Sequence, residues 1–138
     1  MTSEVIDWPL VLADAMDMTT DIDTQVDRFI AAWNDSDIER RNAVVEALFS
    51  PDACYRNASE EFIGRARCRE AVAETYDKFT SNGFEFARLG AASAHHDAIV
   101  FRWQMTAAGG GDPAATGRMF AVLDDNDRVK LLYQFLDA

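Results

Sequence analysis

The stretch from Phe84 to Asp137 constrains the fold most, because large apolar and polar side chains alternate there in four runs separated by three turn signals. Period two is the signature of a strand that buries one face, so the pattern predicts an antiparallel meander. Phe84-Glu85-Phe86-Ala87-Arg88-Leu89 leads to a polar corner at His95-His96-Asp97, and Ile99 to Met105 follows with bulky residues at every second place. Gly109-Gly110-Gly111-Asp112-Pro113 ends that strand. Gly117 to Leu123 is the third, Asp124-Asp125-Asn126-Asp127 a tight turn, and Val129 to Leu136 the fourth. A sheet this long requires a cover on at least one face.

The preceding residues read as that cover. Ile22, Val26, Phe29, Ile30 and Trp33 form one stripe of a helix that Thr20 or Asp21 can cap. Asn34-Asp35-Ser36-Asp37 interrupts it, and Asp37 caps a second helix expected to turn Ile38, Val44, Val45, Leu48 and Phe49 to the core before Ser50-Pro51 stops it. Asp52 to Asn57 reads as an isolated strand, and Ala58 to Gly64 as a loop that brings Phe62 and Ile63 inward. Arg65 to Thr80 is helical, with Cys68, Val72, Thr75, Tyr76 and Phe79 on one face and Arg69, Glu70, Glu74 and Lys78 mainly elsewhere; Ser81-Asn82-Gly83 ends it. Asp7-Trp8-Pro9 ahead of Leu10, Val11 and Leu12 suits a short capped helix, so residues 1–20 read as an amino-terminal extension and residues 21–138 as a single domain.

Composition narrows the function classes. The net charge of −11 repels nucleic-acid phosphates and anionic lipid, so neither is an expected partner. No run approaches the ~20 apolar residues of a membrane span. The amino terminus lacks the basic head and apolar run of a secretion signal, and a cytoplasmic setting is expected. Cys54 and Cys68 read as reduced, buried thiols. His95-His96-Asp97 and Asp124 to Asp127 read as solvated turns rather than metal loops, and no metal or cofactor is expected.

Several segments carry a family resemblance. Phe29 to Asp37, Leu48 to Asn57, Gly64-Arg65 opening a helix, and Val122 to Val129 around the last hairpin occur in the order and spacing found in the nuclear transport factor 2-like superfamily. The chain resembles its SnoaL-like members, a group akin to polyketide cyclases, ketosteroid isomerases and limonene epoxide hydrolases. The resemblance implies an α+β, cystatin-like fold: a cone-shaped, curved antiparallel sheet wrapped around helices, with an inner cavity. Aligned on these motifs, the catalytic tyrosine, base and protonated acid of the isomerases fall on Phe29, Asn57 and Met119. None of the three side chains can take the isomerase role. Tyr55-Arg56-Asn57 resembles the Tyr-x-Asn of the epoxide hydrolases, but Gln104 and Gln134 fall near their proton-moving aspartates.

The expected site therefore comprises Phe29, Trp33, Tyr55, Asn57, Tyr76, Arg102, Trp103, Met119 and Tyr133 around an apolar, cyclic ligand, with Tyr55 and Asn57 orienting it. On the Ile99–Met105 strand two faces compete. Burial of apolar surface, worth roughly 25 cal/mol per Å², favours Phe101, Trp103 and Met105 inward; the epoxide-hydrolase likeness favours Arg102 and Gln104. The first is preferred. Two alternatives stand beside the pocket reading. One is a non-catalytic binding module, a homodimer through the outer sheet face. The other is an isomerase, cyclase or hydratase using Glu60, Glu61 or His96.

Overall fold

The computed structural model describes residues 22–137, so the extension read over residues 1–20 and the caps at Thr20 and Asp21 lie outside the described residues. Helix α1 spans residues 22–34 and buries Val26, Phe29, Ile30 and Trp33, the stripe that its periodicity marks. Asp37 then caps α2 (Ile38–Leu48): its side chain accepts from the backbone N–H groups of Glu39 and Arg40 at 2.9 and 3.2 Å. The inward residues of α2 differ from expectation. Ile38, in the first turn, is 62% exposed, whereas Arg41 is buried beside Val45. Arginine can take that place because its stem is aliphatic and its planar head stacks; the guanidinium lies over the Tyr76 ring at 4.7 Å.

Strand β1 (Phe49–Arg56) starts directly at the end of α2, earlier than the sequence suggests, and carries Ser50-Pro51 within it. Proline is tolerated there because the pairing is irregular between Phe49 and Cys54. The segment expected to be a loop contains a short edge strand, β2 (Glu61–Ile63), antiparallel to β1. Adjacent residues of a strand face opposite ways, so Phe62 is buried while Ile63 stays 66% exposed rather than turning inward. Gly64, at φ 92, turns the chain into α3 (Arg65–Lys78), which buries Cys68, Ala71 and Val72. A 3₁₀ turn, Thr80–Asn82, ends on left-handed Gly83.

The meander follows as β3 (Phe84–Arg88), β4 (Ser93–His95), β5 (Ala98–Ala107), β6 (Ala115–Leu123) and β7 (Val129–Leu136). The polar corner at His95-His96-Asp97 is a two-residue hairpin, His96 at φ 52, which adds β4 to the edge of β5. The sheet order is β2-β1-β7-β6-β5-β3. Every pairing is antiparallel except β1 with β7, which run parallel and make the sheet mixed. Ile99, Phe101, Trp103 and Met105 of β5 are buried under the helices, and Val100 and Arg102 face out. Burial of apolar surface thus selects the aromatic face of β5, as expected.

Candidate functional site

The curved inner face of the sheet and helices α1 and α3 leave an open recess of about 470 Å³, within the roughly 300–1,000 Å³ range of small-molecule pockets. Its floor is aromatic. Trp33 meets Phe86 edge-on at 5.2 Å, Phe86 meets Trp103 at 5.7 Å, and Trp33 meets Trp103 at 6.3 Å. Met105, Met119 and Phe62 extend the apolar wall. Trp103 takes its place by crossing β6 at Gly117, its cross-strand partner, where an added Cβ would lie 2.5 Å from the indole. The glycine therefore permits the indole N–H to reach Gln134 on β7, donating to Oε1 at 2.9 Å.

The polar groups of the wall come from β1, the loop after it, α3 and β7. Tyr55 stacks beside Phe62 at 5.7 Å. Burial pushes its phenol up to about 12, while the neighbouring Asn57 amide pulls the other way, so the hydroxyl keeps its proton at neutral pH. Asn57 shapes the turn into β2: its Oδ1 accepts from the N–H groups of Ser59 and Glu60 at 2.9 and 2.8 Å. Thr75 donates its hydroxyl hydrogen to the Ala71 carbonyl at 3.0 Å. Among the lining residues the ionisable carboxylates and amine are Glu60, Glu74 and Lys78, all exposed.

Trp33, Tyr55, Asn57, Trp103 and Met119, all expected from the sequence, line this recess. Phe29 lies deeper, edge-on to Trp33 at 5.0 Å and beside a narrow crevice of about 10 Å³. Tyr76, Arg102 and Tyr133 line neither space. The alternation of β5 points Arg102 outward, where it pairs with Asp137 at 3.2 Å. Tyr133 is likewise on the outer face: its hydroxyl accepts from Arg56 Nη1 at 2.6 Å and its ring neighbours Phe120. Tyr76 sits beneath Arg41. Of the acid–base candidates, Glu60 lines the recess, Glu61 pairs with Arg56, and His96 is exposed in the β4–β5 turn.

Glu74 and Lys78, expected mainly away from the inner face, line the recess, and so does Phe86, which no sequence motif marks as a site residue. The spacing Ala71, Glu74, Thr75, Lys78 is i, i+3, i+4, i+7, a single helix stripe that follows the recess. Both cysteines are free and buried, and burial pushes the Cys68 thiol up to about 11. No group of three or more metal-ligating side chains occurs among the described residues. No helix among them is long and apolar enough to cross a membrane.

A curved, unclosed mixed sheet folded over three helices, with a recess on its inner side, defines the nuclear transport factor 2-like class of α+β cone folds. Within that class the sequence pattern of the SnoaL-like domain matches residues 26–131, and the chain belongs to the SnoaL-like family. Among solved structures it is similar to a proposed isomerase of the SnoaL-like family from Agrobacterium tumefaciens str. C58, with 25% identity, a TM-score of 0.75, and 83% and 96% of the two chains covered. A nuclear transport factor 2-like protein of unknown function from Exiguobacterium sp. 255-15 matches at 18% identity and TM-score 0.64, covering 82% of this chain and 98% of that one. A proposed polyketide cyclase from Sinorhizobium meliloti matches at 16% identity and TM-score 0.63, covering 84% and 97%. No curated protein matches the chain.

Proposed function

We propose that this SnoaL-like protein binds a neutral, predominantly apolar and cyclic small molecule in the recess between the sheet and α3, without proton-transfer catalysis. One observation carries the reading: an aromatic hollow of about 470 Å³ whose deeper polar groups, Tyr55, Asn57 and Gln134, are all un-ionised at neutral pH. General acid–base catalysis needs a titrating group within reach of the reacting atoms. The carboxylates of the wall, Glu60 and Glu74, are exposed instead. A thermal-shift screen of cyclic ketones and hydrocarbons, followed by Tyr55→Phe and Asn57→Asp, tests the assignment. Asn57→Asp preserves an acceptor for the Ser59 and Glu60 N–H groups. Affinities that neither change lowers would remove both residues from the site.

An isomerase reading is favoured by a single observation, the likeness to the Agrobacterium protein. It would assign the acid–base role to Glu74, the carboxylate that α3 brings to the recess beside Thr75. Turnover of a ligand found by the screen, abolished in Glu74→Gln, would establish it over the binder.

The working unit in this reading is a cytoplasmic homodimer joined through the outer sheet face. Val100 and Phe135 are 39% and 55% exposed there, beside partly buried Phe120 and Tyr133. Sedimentation at micromolar concentration is expected to give twice the chain mass; a monomer would remove this part of the proposal.

A further inference from the structure

We infer that the fold holds a second ligand site, at the opposite end of the sheet from the recess, that takes a short primary alkylamine as its ammonium ion, with the chain inside and the head group at the rim. This does not depend on the binding role proposed for the recess. The site is a void of about 40 Å³ between α1, the end of α2 and the β6–β7 hairpin. It has no lining residue in common with the recess: Phe101, Leu123 and Val129 face it, whereas Trp103, Met119 and Gln134 of the same three strands face the recess. Phe29 and Phe49, their rings 5.5 Å apart, line both the void and the narrow crevice behind the recess, and so stand between the two.

The backbone explains why a void persists there. Val129 pairs with Leu123 on one side and with Phe49 on the other, and both ladders change register at those residues. From Val122 to Leu123 the partner on β7 moves from Leu131 to Val129, so Lys130 is the extra residue of a bulge; from Phe49 to Cys54 the partner moves only from Val129 to Leu131. Such irregularities bend and splay the strands that carry them. The hairpin that forms the lip is braced. Asp124 Oδ1 accepts from the N–H groups of Asn126 and Arg128 at 2.8 and 3.0 Å, and Asp127 turns the chain at φ 59, a left-handed conformation that Asp and Asn adopt more readily than other residues with a side chain.

The wall sets the chain and the rim sets the head group. Apart from Gln25 and Asp127, both exposed, the described lining residues are apolar. A water held inside needs about two to four polar partners, and the wall beyond the rim supplies none from its side chains. Roughly 10–15 Å³ of such space holds one water-sized group, so a void of about 40 Å³ takes about three or four, the bulk of a propyl or butyl chain. At the rim Asp127 supplies a carboxylate and Gln25 an amide oxygen, and no basic side chain is among the described lining residues. The net charge of −11 adds to the preference for a cation over a carboxylate or phosphate.

The test titrates the full chain at low salt with ethyl-, propyl-, butyl- and hexylammonium and with pentanoate, read by backbone amide chemical shifts. Affinity is expected to rise about fourfold per methylene, the yield of burying one, as far as butyl and to level off at hexyl, with shifts centred on Val26, Ala121, Leu123 and Val129. Butylammonium should exceed pentanoate by at least roughly two- to fivefold, the scale of an exposed ion pair. Asp127→Asn keeps a residue suited to the left-handed turn and removes the charge, so it should shrink that preference and leave the dependence on chain length intact. Ala121→Leu, which fills the void, should abolish binding; Leu123→Phe closes it from the rim, should the first variant fail to fold. Pentanoate binding as well as butylammonium, a preference unchanged in Asp127→Asn, affinity that does not rise with chain length, shifts confined to the surroundings of Trp33 and Trp103, or binding unchanged in a folded filled variant each overturns the inference.

Discussion

Trp103 on β5 donates its indole N–H to Gln134 on β7 at 2.9 Å, reaching across the strand that lies between them. The bond ties together the aromatic floor of the recess and its most inward amide. Phe86 and Trp33 pack edge-on against the same indole, so its position sets the depth of the hollow.

Replacing Gln134 by Leu keeps the volume but leaves the Trp103 N–H without its acceptor. The expected loss is about 1–3 kcal/mol of stability, read by urea denaturation. Trp103→Phe and the double variant complete the cycle, with an expected coupling of about 0.5–3 kcal/mol. A coupling near zero would mean that the bond contributes nothing to the fold.

Gly117 is where the indole passes over β6. A Cβ at this position would stand 2.5 Å from Trp103 and 2.6 Å from the Phe135 carbonyl oxygen, and the second of these belongs to a paired backbone. Gly117→Ala is therefore expected to destabilise by about 1–3 kcal/mol through overpacking and to alter the near-ultraviolet circular dichroism of the tryptophans. Wild-type stability and spectrum in this variant would show that the close approach is not maintained in solution.

Tyr55 links stability to alkaline pH. Burial raises its ionisation from 10.0 in the unfolded chain to about 12 in the folded protein. The folded state thus holds the proton more tightly, so this contribution is fully present below pH 10 and is lost as pH rises from 10 to 12. It amounts to about 2–3 kcal/mol at one pKa unit per 1.36 kcal/mol. Cys68, raised from 9.0 to about 11 by burial, acts in the same direction between pH 9 and 11. Tyr55→Phe should remove the upper part of the slope and leave the thiol's part. An identical alkaline profile in the variant would contradict the assignment.

Arg41 is 95% buried by its 5% relative exposure, and Nε and Nη1 have no hydrogen-bond partner. The guanidinium lies over the Tyr76 ring, and its charge also helps to hold the Asp35 carboxyl below the usual range, after the larger effect of Arg40. Removing a charge whose buried Nε and Nη1 lack hydrogen bonds recovers their desolvation cost, so Arg41→Met is expected to be neutral or stabilising by up to about 2 kcal/mol. A loss of more than about 2 kcal/mol would instead assign the guanidinium a structural role beyond its ring contact.

Local pattern settled much of this protein in advance. The meander strands and the Asp37 cap are written in short-range periodicity and side-chain chemistry, because alternation and capping act between residues a few positions apart. The two faces of β5 were separable for the same reason, and the free energy of burying Phe101, Trp103 and Met105 chose between them. Tertiary structure decided the rest. The parallel pairing of β1 with β7 holds Ser50-Pro51 inside a strand, and the pairing of β1 with β2 makes a strand from a segment that reads as a loop. Tyr133 gave no local sign of facing out, since alternation fixes that neighbours oppose one another but not which set the sheet wraps around. The partner of Gln134 was equally hidden. Its meeting with Trp103 depends on a glycine in the strand between them, and such a contact exists only once three strands are in register.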